Sequence, residues 1–262
     1  MYWQTFKESW QKLWKNPSLL LPDFLYITIF TLLGYTLLRY YGMVDIYRIN
    51  GIKSFISILS NYNLLPGLIA SIASFVIVTF FLGSSLLSWK YSMIKNRING
   101  KNNGLICDFR DGHKKIMSVI FIKMIVFSIS VVALFLGILL IAFGKFNGNY
   151  TAGLVIVSII EIIFFIFYIA GIFFRYPMMF SSNLNAVDSF KESFRFVMKR
   201  YDIVIVTMLV TLTTGFLVVA SFNFILSMIF VSNKTLPIIF GIILGVWKDI
   251  FLFDIYRHVR KK

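Results

Sequence analysis

Apolar positions in this chain fall into two kinds of run. Six runs are long and nearly continuous, covering about 18–38, 66–88, 116–143, 152–174, 203–230 and 236–256. At about 1.5 Å per helical residue each can cross a hydrocarbon core of about 30 Å. Shorter stretches between them show helical spacing instead. Residues 3–14 put Trp3, Phe6, Trp10, Leu13 and Trp14 on one face and Lys7, Glu8, Gln11 and Lys12 on the other. Residues 185–201 put Val187, Phe190, Phe194, Val197, Met198 and Tyr201 opposite Asp188, Lys191, Glu192, Arg195 and Lys199. Aromatic and basic residues at this spacing suit helices lying in the headgroup region. A further stretch, Ile52, Phe55, Ile56 and Leu59, predicts an interfacial helix on the opposite membrane face.

A five-residue phrase punctuates the pattern. Thr5-Phe6-Lys7-Glu8-Ser9 recurs as Ser189-Phe190-Lys191-Glu192-Ser193, with a looser copy, Asp108-Phe109-Arg110-Asp111-Gly112. Thr5-x-x-Glu8 and Ser189-x-x-Glu192 fit helix capping boxes, and Asp108-x-x-Asp111 is an imperfect relative. A docking or substrate surface made by the Lys–Glu pairs is the alternative. Each copy precedes a long apolar run, which argues for internal duplication over about 1–89, 105–174 and 185–256. The expected fold is therefore all-α and integral to the membrane, with 1–262 as one polytopic domain. It has six transmembrane helices arranged as three hairpins, each preceded by a cytoplasmic amphipathic interfacial helix. Small residues mark close packing at Gly67, Ala70, Ser71 and Ser74, at Thr207, Thr211, Thr214 and Gly215, and at Gly241-x-x-x-Gly245.

Charge sets the orientation. Of 26 Lys and Arg, three fall in the N-terminal segment, seven in 90–115, five in 175–202 and four in the tail, 19 on one side. Arg39, Arg48, Lys53, Lys145 and Lys234 make five on the other. Basic residues favour the cytoplasm, so both termini are expected there in a multi-pass cell-membrane protein. The formal charge of +15 suits anionic lipid headgroups. Nucleic acid is not an expected partner, because the basic residues lie in short links beside apolar runs. A homo-oligomer or a membrane-protein partner stays open. The single Cys107 excludes an internal disulfide and a cysteine-based metal site. No A-x-A-like site follows the first apolar run, so a cleaved leader is not expected.

One stretch carries a family resemblance. Trp10-x-x-x-Trp14-Lys-Asn-Pro-x-Leu-Leu-Leu-Pro, ending in Lys15 to Pro22, resembles the opening of a loose group of prokaryotic polytopic membrane proteins. These are similar to the membrane domain attached to some glycerophosphoryl diester phosphodiesterases, and the Ser189–Ser193 phrase before an apolar run looks like them too. The resemblance implies fold and location. It implies no phosphodiesterase activity, because the soluble catalytic domain has no counterpart here.

Ionisable groups inside spans are the candidate site residues. Glu161 lies about nine residues into the fourth span, with Ser158, Phe165 and Tyr168 on its helical face. It is a candidate cation or proton site, or a neutral acid hydrogen-bonded between helices. Lys123 lies about two turns into the third span, and Lys248 and Asp249 at similar depth in the sixth. Lys123 can pair with Asp249 if their spans are neighbours, or both lysines can reach up to the headgroups. Asp23, after Pro22, is placed near the interface. His113 and His258 lie in polar segments, and there is no HExxH pair, P-loop, G-x-S-x-G elbow or paired carboxylate within a span. No cofactor and no enzymatic activity are expected. Two readings lead: permease-like transport of a small solute or lipid, or a non-transporting scaffold that organises lipid; an intramembrane enzyme is the third, and it lacks a convergent catalytic pair in the sequence.

Overall fold

The computed structural model describes residues 2–40, 65–101, 103–146, 155, 158–159, 168, 171–229 and 235–260. Glu161, most of the fourth apolar run and the amphipathic stretch 52–59 lie outside the described residues. Every regular element among the described residues is helical. In chain order these are α1 (Tyr2–Lys15), a 3-10 turn (Pro17–Leu20), α2 (Leu21–Tyr40), α3 (Leu65–Ile98), α4 (Leu105–His113), α5 (Ile116–Phe146), α6 (Arg175–Ser181), α7 (Ala186–Lys199), α8 (Tyr201–Ile229) and α9 (Thr235–Arg260). Four stretches are long and apolar enough to cross a membrane: 17–40, 69–98, 116–139 and 201–218. This points to a membrane location.

Local chemistry sets several of these boundaries. At the end of α1 the Asn16 amide donates to the Lys12 carbonyl at 3.0 Å, and Pro17 then forces the turn. The helix α3 is 34 residues long, about 51 Å at 1.5 Å per residue, so it continues well past an apolar core of about 30 Å. The sequence reading ends this helix near Ser88. Its extension keeps helical periodicity, because Tyr91, Ile94 and Ile98 are all buried.

The helices α2 and α3 run side by side in opposite directions. Asp23 meets Lys90, a Cβ on Gly83 would meet the Tyr26 ring, and one on Gly34 would touch the Phe75 ring. The buried core lies at one end of the bundle. There the C-terminal halves of α3 and α9 meet residues 119–122 of α5, 174–180 around α6, Val197 of α7 and Val204 of α8. Towards the other end side chains are increasingly exposed, as at Leu32, Val76, Phe135 and Phe216.

The three phrase copies share one burial pattern. Thr5 and Ser9, Asp108 and Gly112, and Ser189 and Ser193 are all buried. These are the first and fifth positions, one helical turn apart on one face. Each fifth position meets an apolar helix. Ser9 donates to Asp254 of α9 at 3.0 Å. Ser88 of α3 donates to the Gly112 carbonyl at 2.6 Å. Ser193 donates to the Gly171 carbonyl.

The capping reading is thereby corrected. The N-cap of α7 is Asn185, whose side chain accepts from the Asp188 N–H at 2.8 Å. Ser189 lies inside that helix and donates back to the Ala186 carbonyl. Glu192 pairs with Arg195 at 2.7 Å. The phrase lies a turn inside each helix, where small side chains let helices cross closely.

The small-residue stripes divide in the same way. Thr207 and Thr211 are buried, their hydroxyls bonded to backbone carbonyls one turn back. A Cβ on Gly215, Gly241 or Gly245 would meet nothing within 4 Å, so no described residue supplies the expected close packing at those glycines. Ala70 and Ser74 are exposed as well.

Candidate functional site

Three tripeptides of like chemistry build the polar centre of the bundle. They are Trp89-Lys90-Tyr91 in α3, Phe174-Arg175-Tyr176 at the start of α6, and Trp247-Lys248-Asp249 in α9. Each reads aromatic, cation, then a polar group. Their third positions meet. The Tyr91 ring stacks on Tyr176 at 4.7 Å, and the Tyr91 hydroxyl donates to Asp249 at 3.2 Å. Trp89 and Trp247 each bury an indole N–H that has no partner among the described residues.

Lys90 is the hub. Its Nζ lies 2.7 Å from Asp249 and 3.0 Å from Asp23, so one ammonium joins α2, α3 and α9. The three side chains are 7%, 8% and 26% exposed, respectively. A charge in so dry a place is tolerated only when paired, and here two carboxylates supply the pairing. Lys248 lies within electrostatic range of Asp23 and has the Phe173 ring 6.0 Å from its Nζ. The Arg175 guanidinium lies over Tyr176 at 4.6 Å, with Nε and Nη1 buried and without partners among the described residues. Lys123 has its Nζ 5.4 Å from the Phe80 ring and senses the Arg175 charge. Among the described residues, four cations (Lys90, Lys123, Lys248, Arg175) and two carboxylates (Asp23, Asp249) thus make up this centre and its edge, two more positive charges than negative. Burial pushes the Tyr176 phenol above its ordinary range, outweighing the Arg175 guanidinium that favours ionisation.

An aromatic layer closes one side of this cluster. Phe180 and Phe253 each lie 5.7 Å from the Tyr91 ring. Phe253 also lines a cavity of about 280 Å³ together with Lys95, Asn99, Tyr256, Arg257 and Arg260. Arg257 donates to the Ile98 carbonyl and Arg260 to the Ser182 hydroxyl at 3.0 Å. This cavity lies at the end that carries both chain termini, since Lys12 of α1 binds Asp254 of α9 at 2.6 Å.

Two outlying carboxylates anchor the docked helices. Asp254 accepts from Ser9 and Lys12, and Asp108 accepts from Asn96 at 2.6 Å and Arg97 at 3.2 Å. No group of three or more His, Cys, Asp or Glu that could hold a metal occurs among the described residues.

The structure places Lys248 and Asp249 in this centre, and Lys123 at its edge. Asp249 pairs with Lys90, not with Lys123, because α9 packs on the extended α3 while Lys123 stands against Phe80. Asp23 belongs to the cluster, where the sequence reading places it only near the interface. Glu161 lies outside the described residues. Lys90, Arg175 and the two tyrosines are absent from the expected site, since charges at the edge of an apolar run read as link residues. The threefold aromatic–cation pattern is the signal that finds them. No family model, no curated protein and no solved structure matches this chain.

Proposed function

We propose that the chain is a six-span, permease-like membrane protein, with both termini in the cytoplasm and three hairpin units closed into a ring. Each unit begins with a phrase-bearing helix, which docks on the second span of the unit before it. The helix α4 docks on α3, α7 on residues 171–174, and α1 on α9, which closes the ring. The tripeptides then stand at equivalent heights on the three second spans. Seven residues beyond each aromatic come Asn96, Ser181 and Asp254, and two of these bind the docked helix's phrase residues, Asp108 and Ser9.

The observation that carries the transport reading is the Lys90 cluster. It is a set of charges from five helices with surplus positive charge among the described residues, buried behind an aromatic layer where the units converge. Ionisable groups within a membrane are costly and are candidates for substrate or ion paths, and carriers built from repeats bind where the repeats meet. The cargo class that fits is a small solute or lipid bearing negative charge.

A second reading is a lipid-organising scaffold. It is favoured by Trp3, Trp14, Ile106 and Met198, all more than 60% exposed on the docked helices, where anionic headgroups can hold them.

Accessibility separates the two. Ser84 and Thr207 are fully buried. In a Cys107→Ser background, Ser84→Cys and Thr207→Cys are treated with membrane-impermeant thiosulfonate from each side of sealed vesicles. A permease exposes at least one of them as it changes state. Labelling from neither side, in correctly folded protein, would sink the transport reading and leave the scaffold.

A further inference from the structure

We propose that the cavity at the termini end of the bundle is a binding site for a phosphate group. The site stands on the cavity's own chemistry and does not depend on whether the bundle transports anything.

Three cations line it, Lys95 from α3 and Arg257 and Arg260 from α9, and no described carboxylate does. None of the three has an ion pair among the described residues, whereas Lys12, Lys90, Arg97, Lys114 and Arg195 each have one. Lys115 adds a fourth positive charge. Burial, and then repulsion from the nearby Lys95 charge, hold the Lys115 ammonium below its ordinary range. Like charges held together without acids cost free energy in the empty site. An anion relieves that cost.

The geometry favours a phosphate over a simple halide. Each arginine spends one N–H group on the protein, Arg257 on the Ile98 carbonyl and Arg260 on the Ser182 hydroxyl. A guanidinium carries five N–H donors, so both keep donors free for a tetrahedral, multiply charged oxyanion. Those two bonds also fix the arginines in place before a ligand arrives. The Tyr256 hydroxyl, 2.7 Å from the Ser182 hydroxyl, adds a neutral polar group on the same wall. About 280 Å³ exceeds what one phosphate needs, which leaves room for a glycerol or sugar substituent.

The acids of the adjoining groove do not compete. Arg260 also borders a groove containing Asp188 and Glu192, but Asp188 is held by Asn185 at 2.7 Å and Glu192 by Arg195 at 2.7 Å.

The phosphate can come from a lipid headgroup or from a free phosphate, and the test distinguishes them. Asn99 lines the cavity and is exposed, so Asn99→Cys in the full chain, with Cys107→Ser, reports occupancy through its rate of maleimide labelling. One arm adds inorganic phosphate to the purified protein in detergent, with chloride at matched ionic strength as control. The other compares nanodiscs of phosphatidylcholine alone with nanodiscs containing phosphatidic acid, in phosphate-free buffer. Slower labelling with inorganic phosphate identifies a soluble ligand, and slower labelling only with phosphatidic acid identifies a lipid headgroup.

In either case Lys95→Gln raises the half-protecting concentration about tenfold, the value of one charge-assisted hydrogen bond. Lys95→Arg restores it, and Lys191→Gln in the adjoining groove has no effect. Arg260→Gln, which among the described residues gives up one hydrogen bond, to Ser182, serves as a second variant. Protection in neither arm overturns the proposal. So does protection that both Lys95→Gln and Arg260→Gln leave unchanged.

Discussion

Replacing Lys90 with methionine tests whether the charge cluster holds the bundle together. The Lys90 ammonium lies 2.7 Å from Asp249 and 3.0 Å from Asp23. Without it Asp249 keeps the Tyr91 hydroxyl as its hydrogen-bond donor, and two carboxylates face each other across the vacated position. Removing one partner of a buried pair costs about 3–5 kcal/mol, while replacing the whole set with uncharged groups of similar volume is close to neutral. At about 2–4 °C per kcal/mol for a chain of this size, Lys90→Met melts roughly 10 °C below wild type. The triple variant Asp23→Asn, Lys90→Met, Asp249→Asn recovers to within about 1 kcal/mol of wild type.

The single acid variants are ranked by burial. Asp249 is 8% exposed and Asp23 26% exposed. Solvent screens the Asp23 contact, so Asp23→Asn costs about 1 kcal/mol or less, and Asp249→Asn about 3 kcal/mol. Thermal melts in detergent, followed by size-exclusion retention of the folded peak, measure all four variants. Lys90→Met melting with wild type would refute the reasoning, as would equal losses for the two acids.

Three further outcomes follow from the packing. Gly112→Ala places a Cβ 2.9 Å from the Ser88 carbonyl oxygen and from the backbone of Trp89. Backbone cannot yield as a side chain can, so it costs about 1–3 kcal/mol, while Gly215→Ala, with open space around it, stays within about 0.5 kcal/mol; paired melts compare them. Asp254→Ala removes the acceptor of both Ser9 and Lys12 and frees α1, which is read as faster amide exchange over residues 2–15 with the exchange of α3 unchanged. Tyr176 is held above its ordinary pKa by burial, so its contribution to stability is present below about pH 10, where unfolded tyrosine ionises, and is lost as pH rises through the higher folded value. Tyr176→Phe therefore shows a smaller drop in melting temperature between pH 9 and pH 11 than wild type does.

The long helices are legible in the sequence because continuous apolar runs leave little choice of structure. The ends expected for the first, third, fifth and sixth runs fall within a few residues of α2, α5, α8 and α9. The second run misleads at its end. Lys90, Lys95 and Arg97 look like a polar link, yet Tyr91, Ile94 and Ile98 carry the helical period onward. The charge cluster is half legible. Lys248 and Asp249 stand out as charges within a run, but Asp23 and Lys90 stand at run edges. Their pairing joins residues 67 positions apart, and spacing along a chain does not report which helices become neighbours. The phrase is visible and its role is not, because capping and close crossing both call for a small polar residue near a helix start.

The position of α1 constrains how the bundle assembles. The partners of its Ser9, Lys12, Phe6 and Trp10 are Asp254, Trp247 and Phe251, all in α9. Since α9 lies more than 200 residues further along the chain, α1 finds this site only after α9 has been made. Until then it has Trp3, Phe6, Trp10, Leu13 and Trp14 to cover, and a membrane surface is the medium that accepts such a face. Docking afterwards exchanges part of that contact for protein, burying Thr5, Ser9 and Leu13 while Trp3 and Trp14 stay more than 60% exposed. The same helix is thus amphipathic towards lipid and notched with small residues towards protein. That double requirement explains why tryptophans and a Thr–Ser pair share fourteen residues. That contact ties α1 to α9 through Asp254, one helical turn and a half beyond the Lys90 partner Asp249.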